Sequence, residues 1–103
     1  MRRPNILLLI GDQQRWDTLR ANGNSDIQTP HLDRLAAEGG NFAHCFVQNP
    51  VCTPSRASLL TGQYPAILGI AHMGVPVPLE SVTLPRLVRN AGYTSANIGK
   101  LLS

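Results

Sequence analysis

The stretch with the most chemistry in it is Cys52-Thr53-Pro54-Ser55-Arg56, which runs without a gap into Ala57-Ser58-Leu59-Leu60-Thr61-Gly62. A cysteine at the start of a helix can act as a nucleophile. The free backbone N–H groups and the positive end of the helix dipole there favour a thiolate or a bound anion. Arg56 falls one helical turn after Cys52 and can hold anionic oxygens through charge-assisted hydrogen bonds. A lone intracellular cysteine is ordinarily a small buried hydrophobe. No packing rule, however, asks for proline, serine and arginine at fixed offsets behind it. Taken alone, Asp12-Gln13 reads as a polar strand end and Lys100 as a surface lysine.

Their positions along the chain give those residues more weight. Ile6-Leu7-Leu8-Leu9-Ile10 is a continuous apolar run closed by Gly11-Asp12, the pattern of a strand buried on both faces of a parallel sheet. Thr29-Pro30 opens a helix, with Thr29 as N-cap, Leu32, Leu35 and Ala36 on one face and Gly39-Gly40 as the stop. Phe42 to Val47 reads as a short strand or extended segment, and Ser55 to Thr61 as a short helix ended by Gly62. Gln63 to Val82 is rich in glycine and proline, lacks periodicity and reads mostly as loop. Thr83 caps a further helix through Leu84, Leu87, Val88 and Ala91, with Gly92 after it. Tyr93 to Ile98 is a second strand, closed by Gly99-Lys100. This order predicts an α/β chain, a βαβ unit with a long insertion and a partial parallel sheet with flanking helices. Asp12 and Lys100 would then lie beyond the carboxyl ends of strands, where open α/β sheets bind ligands.

The string Cys-Thr-Pro-Ser-Arg followed by Leu-Leu-Thr-Gly resembles the motif of type I sulfatases, in which the cysteine is oxidised to formylglycine. Their maturation enzymes read a cysteine, a proline two residues on and an arginine four residues on, as Cys52, Pro54 and Arg56 stand here. The resemblance implies the fold of the alkaline-phosphatase-like superfamily and hydrolysis of sulfuric esters. It implies that the residue at 52 is hydrated to a geminal diol. One hydroxyl attacks sulfur and displaces the alcohol; the other loses a proton and expels the sulfate. Arg56 would hold the diol oxygens and Lys100 would contact the sulfate and the formylglycine. Asp12, Gln13 and the modified Cys52 would bind a divalent cation, calcium ahead of manganese or magnesium. Most sulfatases carry Asp-Asp where this chain has Asp12-Gln13. The amide, together with Pro4-Asn5-Ile6-Leu7 and Gln14-Arg15-Trp16-Asp17, is similar to the branch holding choline sulfatases and phosphonate monoester hydrolases. The partners implied are a small-molecule sulfate or phosphonate ester and a formylglycine-generating enzyme or anaerobic maturase.

Composition narrows the field further. A hydrophobic fraction of 43% fits a globular chain and argues against disorder. The net charge of +3 comes from scattered residues, with no basic block longer than two and no interleaved aromatics. Nucleic-acid binding is therefore not expected. The run Ile6 to Ile10 is too short for a signal peptide and ends in Gly11-Asp12 without a small-residue cleavage site. No stretch is long enough to span a membrane. With two cysteines and no disulfide framework, a cytoplasmic location is expected. His31, His44 and His72 show no metal-ligand spacing, and Trp16 reads as a packing residue.

The resemblance runs from about Pro4 to Lys100 and breaks at Leu101-Leu102-Ser103, where the family often has Trp-His after the lysine. Sulfatases are several times longer, and their remaining metal ligands come from downstream. Residues 1–103 are thus expected to be the N-terminal portion of a sulfatase catalytic domain, incomplete, poorly stable and inactive in isolation. Three alternatives stand beside this expectation: a phosphonate or phosphate ester hydrolase of the same superfamily, a non-catalytic anion-binding α/β module, and a thiol-based enzyme using unmodified Cys52.

Overall fold

The computed structural model describes residues 2–100. Met1 and residues 101–103, the latter being where the resemblance was expected to break, lie outside the described residues. The chain divides into two compact units, Met1–Cys45 and Phe46–Ser103.

In the first unit a 3-10 turn at Arg20–Asn22 packs against helix α1, Pro30–Glu38. Proline at the first helical position costs α1 no hydrogen bond, because the first N–H groups of a helix have no partner within it. Thr29 stands at the N-cap as expected, but its side chain does not cap α1. Its hydroxyl instead donates to Asp33 Oδ1 at 2.9 Å and accepts from the Arg20 N–H at 3.0 Å. Asp33 Oδ1 also accepts from the Ala21 N–H at 2.9 Å, so Thr29 and Asp33 together fasten the turn to the helix. No residue of this unit is buried among those described. Trp16, expected to pack, is 73% exposed.

The second unit holds helices α2 (Cys52–Thr61), α3 (Pro65–Leu68) and α4 (Leu84–Asn90), with α2 packed against both others. Its core is Ala57, Leu68 and Ile70, with Val75 and Val77 partly buried against them. All of these but Ala57 come from the Gln63 to Val82 stretch expected to be mostly loop. Gly62 takes φ 69°, a left-handed conformation open to glycine without steric cost, and its N–H bonds Ser58 O at 2.8 Å to close α2. Helix α4 ends with the Tyr93 N–H on Val88 O at 3.0 Å, close to the end expected from Ala91-Gly92.

The partial parallel sheet is not formed among the described residues. Residues 6–10, 42–47 and 93–98 contain no strand. Ile6, Leu7, Leu8, Leu9 and Ile10 are all exposed, as are Phe42, Phe46 and Ile98. The reason is physical. A strand exists only in a ladder, since its N–H and C=O groups need a neighbour to bond, whereas a helix closes its own bonds locally. The apolar runs have the composition of strands but no pairing partner here.

Candidate active site

Helix α2 positions the motif and starts at Cys52, as the chemistry read for Cys52 and Arg56 required, three residues ahead of the Ser55 to Thr61 span read from the local pattern. Pro54 does not delay it, because a proline in the first turn lacks only an N–H that the helix would leave unpaired. Asn49 Oδ1 accepts the Val51 N–H at 2.8 Å, and Val51 O takes the Ser55 N–H at 3.1 Å. The approach to the helix is therefore set by hydrogen bonds on both sides of the cap. Thr53, Pro54, Ala57 and Ser58 are the buried residues of α2 and fix its orientation within the unit. Cys52 is half-buried at the first helical position, and Cys45 is exposed.

Arg56, one turn further along α2, is also half-buried. Its Nη1 donates to the backbone carbonyl of Lys100 at 3.1 Å, across 44 positions of sequence. The segment expected to carry the anion-contacting lysine thus meets the first turn of α2. Gly99, at φ 99°, turns the chain just before Lys100.

Asp12 and Gln13 belong to the first unit, and both are exposed. Gln13 has φ 53°, and among the described residues it alone combines a side chain with positive φ. Such a conformation is uncommon outside glycine, and it is one that active sites and turns both use. A Cβ on Gly11 would meet the amide end of the Gln14 side chain, a flexible group that can swing aside. Among the described residues no three His, Cys, Asp or Glu side chains group so as to hold a metal ion. By donor type alone, Asp12 and Gln13 would suit an oxygen-seeking cation.

The sequence reading did not single out Ser58. Its Oγ is buried and makes no hydrogen bond. It lines an open cleft of about 260 Å³ with Gln48, Gly62, Gln63 and Tyr64, at the end of α2 opposite Cys52. Its place within the motif was the one signal that could have drawn attention to it.

Residues 4–103 match the family described as Sulfatase. The chain belongs to the sulfatase family. Sulfatases with curated descriptions are similar to it over nearly its whole length. The ulvan-active sulfatase of Formosa agariphila is 41% identical over 95% of this chain and 19% of its own. The steryl-sulfatase of Mus musculus is 42% identical over 96% of this chain and 18% of its own. The N-acetylgalactosamine-6-sulfatase of Homo sapiens is 43% identical over 94% of this chain and 21% of its own. The chain thus spans about a fifth of the length of these relatives. No solved structure matches it. Membership implies an alkaline-phosphatase-like α/β fold, a formylglycine and a divalent cation.

Proposed function

We propose that this sulfatase-family chain carries the nucleophile-bearing part of a sulfuric ester hydrolase. The reading rests above all on the unbroken Cys52-Thr53-Pro54-Ser55-Arg56 string folded as the first turn of α2. The nucleophile is Cys52 after conversion to formylglycine by a formylglycine-generating enzyme or an anaerobic maturase. Formylglycine supplies covalent catalysis with a built-in release step. A divalent cation, calcium ahead of manganese or magnesium, supplies Lewis acidity. Asp12 and Gln13 would contribute its oxygen ligands. Arg56 presents five N–H donors in a planar fork, enough to hold anionic oxygens while one of them bonds Lys100 O. Lys100 adds a mobile positive charge for the sulfate. The chain acts on a small-molecule sulfate ester, in the cytoplasm, without nucleic-acid or membrane partners. Among the described residues no helix is long and apolar enough to cross a membrane.

The deciding experiment is peptide mapping of the protein from its native host, together with turnover of 4-nitrophenyl sulfate. An aldehyde at position 52 and metal-dependent turnover are expected. An unmodified thiol in active protein would replace this reading with the thiol-enzyme one.

Gln13 favours a second reading, the branch with choline sulfatases and phosphonate monoester hydrolases. A neutral amide in place of a carboxylate takes one negative charge from the cation site. The cation is then a stronger electrophile toward anionic esters, and phosphonates or phosphate esters can compete with sulfates. Gln13→Asp is expected to shift the ratio of rates toward the sulfate ester. An unchanged ratio would argue against Gln13 as the determinant.

A further inference from the structure

Arg56 is the residue that the motif sets against the anion, yet its Nη1 already donates to the Lys100 carbonyl at 3.1 Å. The two ends of that bond differ in how they are held. Helix α2 is anchored by buried Thr53, Pro54, Ala57 and Ser58. Residues 94–100 are all exposed, Ile98 at 97%, so packing does little to fix them. A hydrogen bond from a charged donor on the rigid side therefore restrains the loose one. Arginine suits the task because its fork can bond a carbonyl with one nitrogen and still present N–H groups elsewhere; a lysine ammonium cannot span both.

We propose that Arg56 is a positioning residue for Lys100, with its guanidinium holding the Lys100 backbone against the first turn of α2. This rests on the sulfatase reading for its consequence but not for its geometry. If Arg56 is lost, the anion loses a direct contact and also the placement of the lysine.

Two measurements on the whole protein test this. The first is amide hydrogen exchange in Arg56→Gln, with the amides of residues 55–61 as the control for an intact α2. Exchange at residues 98–100 is expected to quicken while the helix stays protected. Unchanged exchange at 98–100 overturns the proposal. The second is a double-mutant cycle of Arg56→Gln and Lys100→Gln, read as kcat/KM on 4-nitrophenyl sulfate per formylglycine-bearing molecule, because Arg56 is also part of the maturation signal; where a variant carries no formylglycine, the exchange result decides. Each single substitution is expected to lower the rate by roughly tenfold or more. The double variant is expected to be no worse than about the poorer single one, because the second loss is contained in the first. Losses that multiply would show Arg56 and Lys100 acting independently and overturn the proposal. Arg56→Lys keeps the charge but not the fork, so it should restore little of the loss. Full rescue by lysine would also count against positioning. Absence of turnover in the formylglycine-bearing wild type would defeat the sulfatase reading, and exchange alone would then decide the clasp.

Discussion

The first unit is held by polar bonds and the second by a core. Up to Cys45 no described residue is buried, and Thr29, Asp33 and Arg20 bond one another around the 3-10 turn. From Phe46 onward, Ala57, Leu68 and Ile70 bury apolar surface beneath the helix that starts with Cys52. Hydrogen bonds exposed to water add little net stability, because water competes for both partners. Apolar burial has no such competitor. The motif helix therefore sits on the better-founded part of the chain. Asp12 and Gln13 rest on a backbone turn that packing does not hold.

Cys52→Ala is the substitution that separates chemistry from support most sharply. Cys52 is half-buried at the end of a helix and takes no part in the core. Turnover of 4-nitrophenyl sulfate is expected to vanish, with the exchange protection of α2 and α3 unchanged. A loss of protection along with activity would mean that Cys52 is a packing residue.

Ile70→Ala attacks the second unit itself. Ile70 is 1% exposed, and removing a buried isoleucine side chain costs about 2–5 kcal/mol. Amide protection in α2 and α3 should fall together while the turn at Arg20–Asn22 exchanges as before. Equal loosening of both regions would erase the contrast between the units.

How much of this was legible in the sequence follows from the range over which each feature is determined. Helices α1 and α4 could be placed because Thr29-Pro30, Gly39, Thr83 and Gly92 are local signals. The Ser55 to Thr61 span fell three residues short of α2 because Pro54 reads as punctuation, though a first turn tolerates it, while the helix start placed at Cys52 is the one observed. Helix α3 was missed for want of periodicity, yet Pro65 at its start and left-handed Gly69 at its end are a usable signature for so short an element. The pairing of Cys52 with Arg56 needed only helical spacing. The bond from Arg56 to Lys100 spans 44 positions, and no local pattern encodes it. The strands failed for the same reason, since the run 6–10 has strand composition but its ladder depends on distant residues.

Gly62→Ala probes the end of the motif helix. At φ 69° a Cβ is strained although nothing lies within 4 Å of it. The cost is therefore conformational, about 1 kcal/mol. It should appear in thermal unfolding as loss of α2 signal, with no change in the first unit. The same substitution at Gly39, where φ is −123°, has no left-handed strain to relieve or create, although its Cβ would stand 3.2 Å from Leu35 O. A smaller effect at Gly39 than at Gly62 would tie the sensitivity to backbone conformation.

Leu7→Ala carries the smallest expected effect and sharpens the comparison most finely. Leu7 is 82% exposed in the first unit, and substitutions at exposed positions usually stay within about 0.5 kcal/mol. Denaturant unfolding of the 103-residue chain should hardly change, and dye that binds exposed apolar surface should bind less well to the variant. The same substitution in the protein purified from its native host makes the telling contrast. If the run 6–10 is a buried strand there, as the sulfatase family's α/β fold implies, the cost should rise toward the 2–5 kcal/mol of a core leucine. Neutral behaviour in both settings would place the run outside any sheet. Asp12 and Gln13 would then have no strand end beneath them, and the first unit could not position its cation ligands in the way proposed.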